Sequence, residues 1–136
     1  MDHLLATHSV VRWLVLIFGV YAITKAYRGM SKNQEYTPNH KRSATLYLSS
    51  LHLQGLIGLV LYFSKGWHSN LSNAFADMGN SYLRFYAIEH LFGMLVAIIL
   101  VQVGSIKVKK ATDAKQKHKI AFRYFLIGMV IILATI

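Results

Sequence analysis

Four long apolar segments constrain this chain more strongly than any other feature. A helix needs about 20 apolar residues to cross the ~30 Å hydrocarbon core of a membrane. None of the four segments has the polar face that a helix on the surface of a soluble domain requires. We therefore predict an all-α integral membrane protein with a single transmembrane domain over residues 1–136, its helices covering about 4–26, 44–63, 83–108 and 120–136.

The positive charges lie between these segments and predict their orientation. The net charge is +10, and eleven basic residues belong to or flank the first and third connections: Lys25, Arg28, Lys32, Lys41, Arg42, Lys107, Lys109, Lys110, Lys115, Lys117 and Lys119. The middle connection has only Lys65, with Arg84 just beyond it. Basic connections stay in the cytoplasm, so we expect an up-down-up-down four-helix bundle with both termini on the outer, periplasmic side. This charge pattern indicates a lipid bilayer as partner and no nucleic acid.

Several classes of function are excluded by residues that the chain lacks. It has no cysteine, which excludes disulfides, thiolate metal sites and cysteine nucleophiles. It has no glycine-rich phosphate loop and no nucleophile elbow, and we predict no catalytic residue. The start of the chain has no basic region of the kind that precedes a signal peptide's apolar stretch, so we expect the first span to be retained.

Ionisable and polar residues inside the spans are the candidate functional residues, since they are costly in lipid. At ~1.5 Å per residue, His8 lies about 6 Å below the outer edge of the first span and His90 about 10 Å below that of the third. In a four-helix bundle these helices are diagonal neighbours. The two imidazoles are therefore predicted to face each other at similar depth.

A facing pair of histidines is what six-coordinate haem b requires, with one imidazole on each side of the porphyrin. Small residues share the faces of His8 and His90, and Gly19, Gly93 and Gly104 would make room for a wide, flat ligand. The alternative is structural. Small-residue stripes also allow close helix packing in membranes, and a single histidine can hydrogen-bond a neighbouring helix.

Three charged residues would surround this site. Arg12 and Glu89 lie at similar depths on facing helices and are expected to form a buried ion pair. Arg84, at the outer surface, could neutralise a haem propionate. Glu89 could also carry protons to a quinone.

A second haem would need His52 and His118 on the second and fourth helices. Their depths differ by roughly 15 Å at the helical rise. His118 stands between two lysines, where a solvated interface is expected. His52, with Gln54 and Gly55, could instead form a quinone site or supply a third ligand. The remaining histidines, His3, His40 and His68, are expected to be exposed to solvent.

Four segments carry a resemblance along nearly the whole chain: His8–Trp13, His52–Gly58, Arg84–His90 and Lys117–Lys119. They resemble a family of small four-span bacterial membrane proteins labelled cytochrome b or cytochrome-b-like. The resemblance implies haem ligation by His8, His52 or His90, with His118 as a further candidate. It also implies an electron-transfer setting in the inner membrane of a Gram-negative bacterium.

These observations favour a haem-b-binding inner-membrane protein that transfers electrons, with a quinone and a redox protein as candidate partners. One haem is expected between His8 and His90, and a second only if His52 and His118 pair. The alternative is a non-catalytic accessory subunit of a larger respiratory or secretion complex. The partners could also include further copies of the chain in a homo-oligomer. Either function is favoured over that of a stand-alone enzyme.

Overall fold

The computed structural model describes residues 2–136, and every regular element in that range is helical. The elements are α1 (Asp2–Ser31), α2 (Pro38–Ser64), a 3₁₀ turn (Trp67–Asn70), α3 (Leu71–Ala76), α4 (Ser81–Arg84), a π-helical segment (Phe85–Glu89), α5 (His90–Lys110) and α6 (Ala114–Thr135). Four helices are long and apolar enough to cross a membrane: α1, α2, the π-helical segment joined to α5, and α6. The predicted all-α class and the number of spans agree with this.

The long helices extend beyond the predicted apolar spans, mostly at their basic ends. α6 begins at Ala114 rather than near Ile120, and Asp113 caps it by accepting a hydrogen bond from the Lys115 backbone N–H at 3.0 Å. Lysine and glutamine are good helix formers. The helix therefore continues past the point where hydropathy alone ends the span.

α2 begins with a capping box in which a histidine replaces the usual glutamate or glutamine. Thr37 is the N-cap and Pro38 occupies the first turn, where its missing N–H costs nothing. The Thr37 backbone N–H donates to Nδ1 of His40 at 3.2 Å. His40 is thereby drawn toward the protein interior at the start of the helix.

The loop between α2 and α5 contains a short helix, α3. Aromatic rings cover this end of the molecule. Trp67 stacks on Tyr86 at 5.3 Å, and Tyr82 contacts both rings. At the π-helical segment, the Ala87 carbonyl accepts a hydrogen bond from the Tyr62 hydroxyl at 2.8 Å, which ties this segment to α2.

The four long helices pack in adjacent pairs: α1 with α2, α2 with α5, α5 with α6, and α6 with α1. Glycines allow the closest approaches. A Cβ on Gly19 would clash with the Met129 side chain, one on Gly93 with Thr135, and one on Gly104 with Tyr124.

The prediction that Gly19, Gly93 and Gly104 make room for a ligand is therefore wrong. Side chains from the neighbouring helix α6 fill the space beside all three residues. They serve helix packing, which was the alternative interpretation.

Candidate functional site

His8 of α1 and His90 of α5 come together, although their helices are not among the closely packed pairs. Their ring centres are 6.4 Å apart and the ring planes are nearly perpendicular, at 82°. Both side chains are partly buried. The two residues were predicted to meet from their depth alone, and the described geometry agrees with that prediction.

His90 is held by a hydrogen bond that leaves its second ring nitrogen available. Its Nδ1 donates to the backbone carbonyl of Thr135, near the end of α6, at 2.7 Å. Nε2 of His90 forms no hydrogen bond within residues 2–136. A histidine that binds a metal through one nitrogen usually donates the other N–H to a carbonyl or carboxylate, and His90 already has this arrangement.

A cavity of about 430 Å³ adjoins the two imidazoles. Ligand sites typically enclose about 300–1,000 Å³ and are mainly apolar, with a few polar groups. We call this space the His8–His90 cavity. Its lining comprises Leu5, His8, Ser9, Arg12, Val15, Leu51, Gln54, Gly55, Gly58, Leu59, Leu61, Tyr62, Lys65, Trp67, Tyr82, Tyr86, His90, Leu91, Met94, Leu95, Ile98, Ile132 and Ile136.

The residues of this cavity fit a haem iron with two axial histidines. Two imidazoles that bind one metal ion from opposite sides have ring centres about 6 Å apart, since metal–nitrogen bonds are about 2 Å long. The observed 6.4 Å matches this spacing. In addition, His8 Nδ1 and Gln54 Oε1 are buried without a hydrogen-bond partner. His40 Nε2 and His118 Nδ1 are also buried without one, so the open cavity is what distinguishes the His8–His90 site.

One face of α2 forms a wall of the cavity, and the sequence analysis identified only part of it. Gln54, Gly58 and Lys65 recur at helical spacing on this face. The Gln54 amide donates to the His8 backbone carbonyl at 2.8 Å. A Cβ on Gly58 would lie 3.2 Å from Cε1 of His8, so this glycine leaves space beside the ring. Gly58 follows Gln54 by four residues and Lys65 follows Gly58 by seven. This helical spacing was the signal that could have identified Lys65 from the sequence.

The expected ion pair between Arg12 and Glu89 does not form. Glu89 instead accepts from Arg84 at 2.6 Å, and both side chains of that pair are substantially exposed. The Arg12 guanidinium lies 5.4 Å from the centre of the Trp13 ring. Equal depth on two helices does not fix the direction of the side chains around each helix axis, and this is why the prediction failed.

His52 faces away from the cavity. Its side chain is exposed on α2, whereas Gln54 and Gly55, two and three residues later, line the cavity. Successive residues point about 100° apart around a helix. The expected grouping of His52 with Gln54 and Gly55 at one site is therefore wrong.

A second histidine pair lies at the other end of the helices, but it differs from the predicted one. His118 is fully buried and contacts His40, with ring centres 4.5 Å apart. Nε2 of His118 donates to the Gln34 carbonyl at 3.0 Å. The Tyr36 ring packs against both imidazoles, and burial raises the pKa of its phenol, which therefore stays neutral.

Three expectations are corrected by this cluster. His118 was expected at a solvated interface and His40 in solvent, yet both are buried. Lys117 donates to the Val108 carbonyl at 2.7 Å and lies over the Tyr36 ring, and the neighbouring His118 is fully buried. His52 lies twelve residues, or about 18 Å along α2, from His40, so a second haem between His52 and His118 does not fit.

The His40–His118 cluster does not fit a haem either. Its cavity measures about 10 Å³ and is lined in part by Ala22, Ala26 and Phe125, which leaves room for about one water molecule. Across the described chain, no group of three or more histidine or acidic side chains is placed to hold a metal ion.

Comparison with protein-family models, curated proteins and solved structures finds no match for the chain. The resemblance to four-span cytochrome-b-like proteins therefore stays an expectation. The arguments that follow come from the geometry of the site.

Proposed function

We propose that the protein binds one haem b in the His8–His90 cavity and transfers electrons in the inner membrane of a bacterium. The observation that carries this proposal is the pair of imidazoles 6.4 Å apart beside a cavity of about 430 Å³. The four long helices would form an up-down-up-down bundle. The basic connections would lie in the cytoplasm and both termini in the periplasm.

The chain's own residues would hold and insulate the group. His8 and His90 would supply the axial nitrogens, and the Thr135 carbonyl would fix the tautomer and orientation of His90. Apolar side chains such as Met94 and Ile98 would keep water from the site. When bound, haem b would supply one-electron redox chemistry, at a potential set by its axial ligands and surroundings.

A quinone is the candidate electron-exchange partner, because it dissolves in the same membrane as the cavity. The rings of Trp67, Tyr82 and Tyr86 line the cavity at the loop end. They would provide an apolar surface on which a quinone head group could stack.

The direct test is spectroscopic. The protein, purified in detergent, should give a reduced-minus-oxidised spectrum of the b type and one haem per chain in the pyridine haemochrome assay. His8→Ala should lose the haem, whereas His52→Ala, which removes an exposed histidine from α2, should keep it. Absence of a Soret band after haem supplementation would contradict the proposal. Co-purification with stoichiometric partners would then favour the accessory-subunit alternative.

A further inference from the structure

We propose that the His8–His90 cavity selects a ligand with two carboxylates, bound by Arg12 and Lys65. This inference rests on the proposed function, in which the ligand is haem b and the carboxylates are its two propionates. It assigns anion-binding roles to residues on α1 and at the end of α2.

The charge of the cavity lining is the first observation. The lining contains two basic side chains, Arg12 and Lys65, and no aspartate or glutamate among the described residues. A ligand that fills this space replaces water around Arg12, which is half-buried, whereas Lys65 is exposed at the loop end. Negative groups on the ligand would offset that loss of hydration.

Arg12 provides the stronger half of the argument, since it lies within a membrane span. A charged side chain at this position is costly unless it is paired or reaches water. Within the described range the Arg12 guanidinium forms no ion pair, and it lies 5.4 Å from the centre of the Trp13 ring. It stands one helical turn after His8, on the same face of α1. A carboxylate in the cavity would give this arginine the bidentate partner that guanidinium groups favour.

Lys65 provides the second cation at the loop end of the cavity. It is the C-cap residue of α2 and follows Gly58 by seven residues, or about 10 Å along the same face of the helix. Gly58 lies beside the His8 ring. Lys65 is therefore suited to a carboxylate at the edge of a ligand whose centre lies between the two imidazoles.

Arg84, which the sequence analysis considered for a propionate, is engaged elsewhere. Its Nε donates to Glu89 at 2.6 Å and a terminal nitrogen donates to the Met78 carbonyl at 2.7 Å. It is also not among the residues that line the cavity. The propionate role therefore passes from Arg84 to Arg12 and Lys65.

The experiment compares haemin with its dimethyl ester, which keeps the porphyrin and iron but lacks both carboxylate charges. Haem-free protein from a haem-deficient host is titrated with each compound in detergent and followed by the Soret band. The wild type should bind haemin about tenfold or more tightly than the ester, since charge-assisted hydrogen bonds are strong in a desolvated site. Arg12→Gln and Lys65→Gln should each weaken haemin binding and leave ester binding nearly unchanged.

Arg123→Gln on α6 and Lys109→Gln at the end of α5 are matched controls, because neither residue lines the cavity. Both should keep the preference for haemin. If Arg12→Gln fails to fold, Arg12→Lys keeps the charge and should keep the preference, with helicity measured by circular dichroism.

The outcomes separate this inference from the proposed function. Equal affinity of the wild type for haemin and ester, or equal weakening of both by Arg12→Gln and Lys65→Gln, would overturn the inference and leave haem binding intact. Failure of the wild type to bind either compound would overturn the proposed function together with the inference.

Discussion

The two histidine pairs differ in what surrounds them more than in the distance between their rings. The rings of His8 and His90 are 6.4 Å apart beside a cavity of about 430 Å³. Those of His40 and His118 are 4.5 Å apart beside a cavity of about 10 Å³. A pair of buried histidines is therefore a candidate ligand site only where the helices also leave open space next to it.

A glycine adjoins each pair, in different surroundings. A Cβ on Gly29 would clash with the His118 ring, so this glycine lets α1 pack directly against the imidazole. A Cβ on Gly58 would lie 3.2 Å from Cε1 of His8, and Gly58 lines the open cavity. Both glycines allow a close approach to an imidazole, but of the two only Gly58 lines the open cavity.

The largest expected effect is the loss of haem when a residue of the His8–His90 pair is replaced. His90→Ala should lower haem affinity about 100-fold or more, because even outer-shell partners of metal ligands contribute 10–100-fold. His90→Met should retain some haem at a raised reduction potential, since methionine is an axial ligand that raises the potential. Haemochrome assays and redox titration measure both. Full haem occupancy with unchanged spectra in His90→Ala would contradict this role.

Substitution in the His40–His118 pair should lower the stability of the fold and leave haem binding unchanged. His118→Ala removes a fully buried ring and its hydrogen bond to Gln34, and should cost about 2–4 kcal/mol of unfolding free energy. Unfolding in mixed detergent micelles, followed by circular dichroism, measures this change. The fraction that remains folded should keep one haem per chain. A folded variant without haem would contradict the distinction between the pairs.

The two glycines allow a sharper comparison with smaller expected effects. Gly29→Ala should destabilise the fold by about 1–3 kcal/mol through overpacking against His118. Gly58→Leu should fill part of the open cavity and lower haem affinity about tenfold, or about 1.4 kcal/mol. The same unfolding and haem titrations apply to both variants. If Gly29→Ala and Gly58→Leu lowered haem affinity equally, the proposed difference between the two histidine pairs would be wrong.

The smallest expected effect concerns the support of His8. Gln54 donates to the His8 carbonyl, and its own Oε1 and His8 Nδ1 are both buried without partners. Gln54→Leu should cost about 1 kcal/mol of stability, typical of one hydrogen bond, and should shift the reduction potential by loosening His8. Gln102→Leu is the matched control, because Gln102 lies outside the lining of the cavity. If Gln54→Leu left the reduction potential unchanged, Gln54 would not be needed to position His8.

Hydropathy and helical rise were sufficient to predict the four long helices and the common depth of His8 and His90. They were not sufficient for properties that depend on rotation about a helix axis. His52 and Gln54 are two residues apart and point in different directions. Arg12 and Glu89 share a depth and form no ion pair, because Glu89 contacts Arg84.

The burial of His118 and His40 could not be predicted for a different reason. His118 lies between two lysines, and His40 follows a polar connection, so the local sequence of both indicates solvent. The burial of His118 comes from contacts distant in sequence: the Gln34 carbonyl, the Tyr36 ring and Gly29 of α1. His40 is held by its local contact with Thr37 in the capping box, and it packs against His118.

The π-helical turn before α5 determines which aromatic ring covers His90. In this wider turn, residues five apart are joined, and the His90 backbone N–H donates to the Phe85 carbonyl. The Phe85 ring accordingly lies 5.6 Å from the imidazole, closer than the Tyr86 ring at 6.4 Å. If the same residues formed an ordinary α-helical turn, the His90 N–H would instead donate to Tyr86, four residues before it, and a phenol would take the place of the phenyl ring. The water exposure of His90 would then change although every residue lining the cavity remained the same.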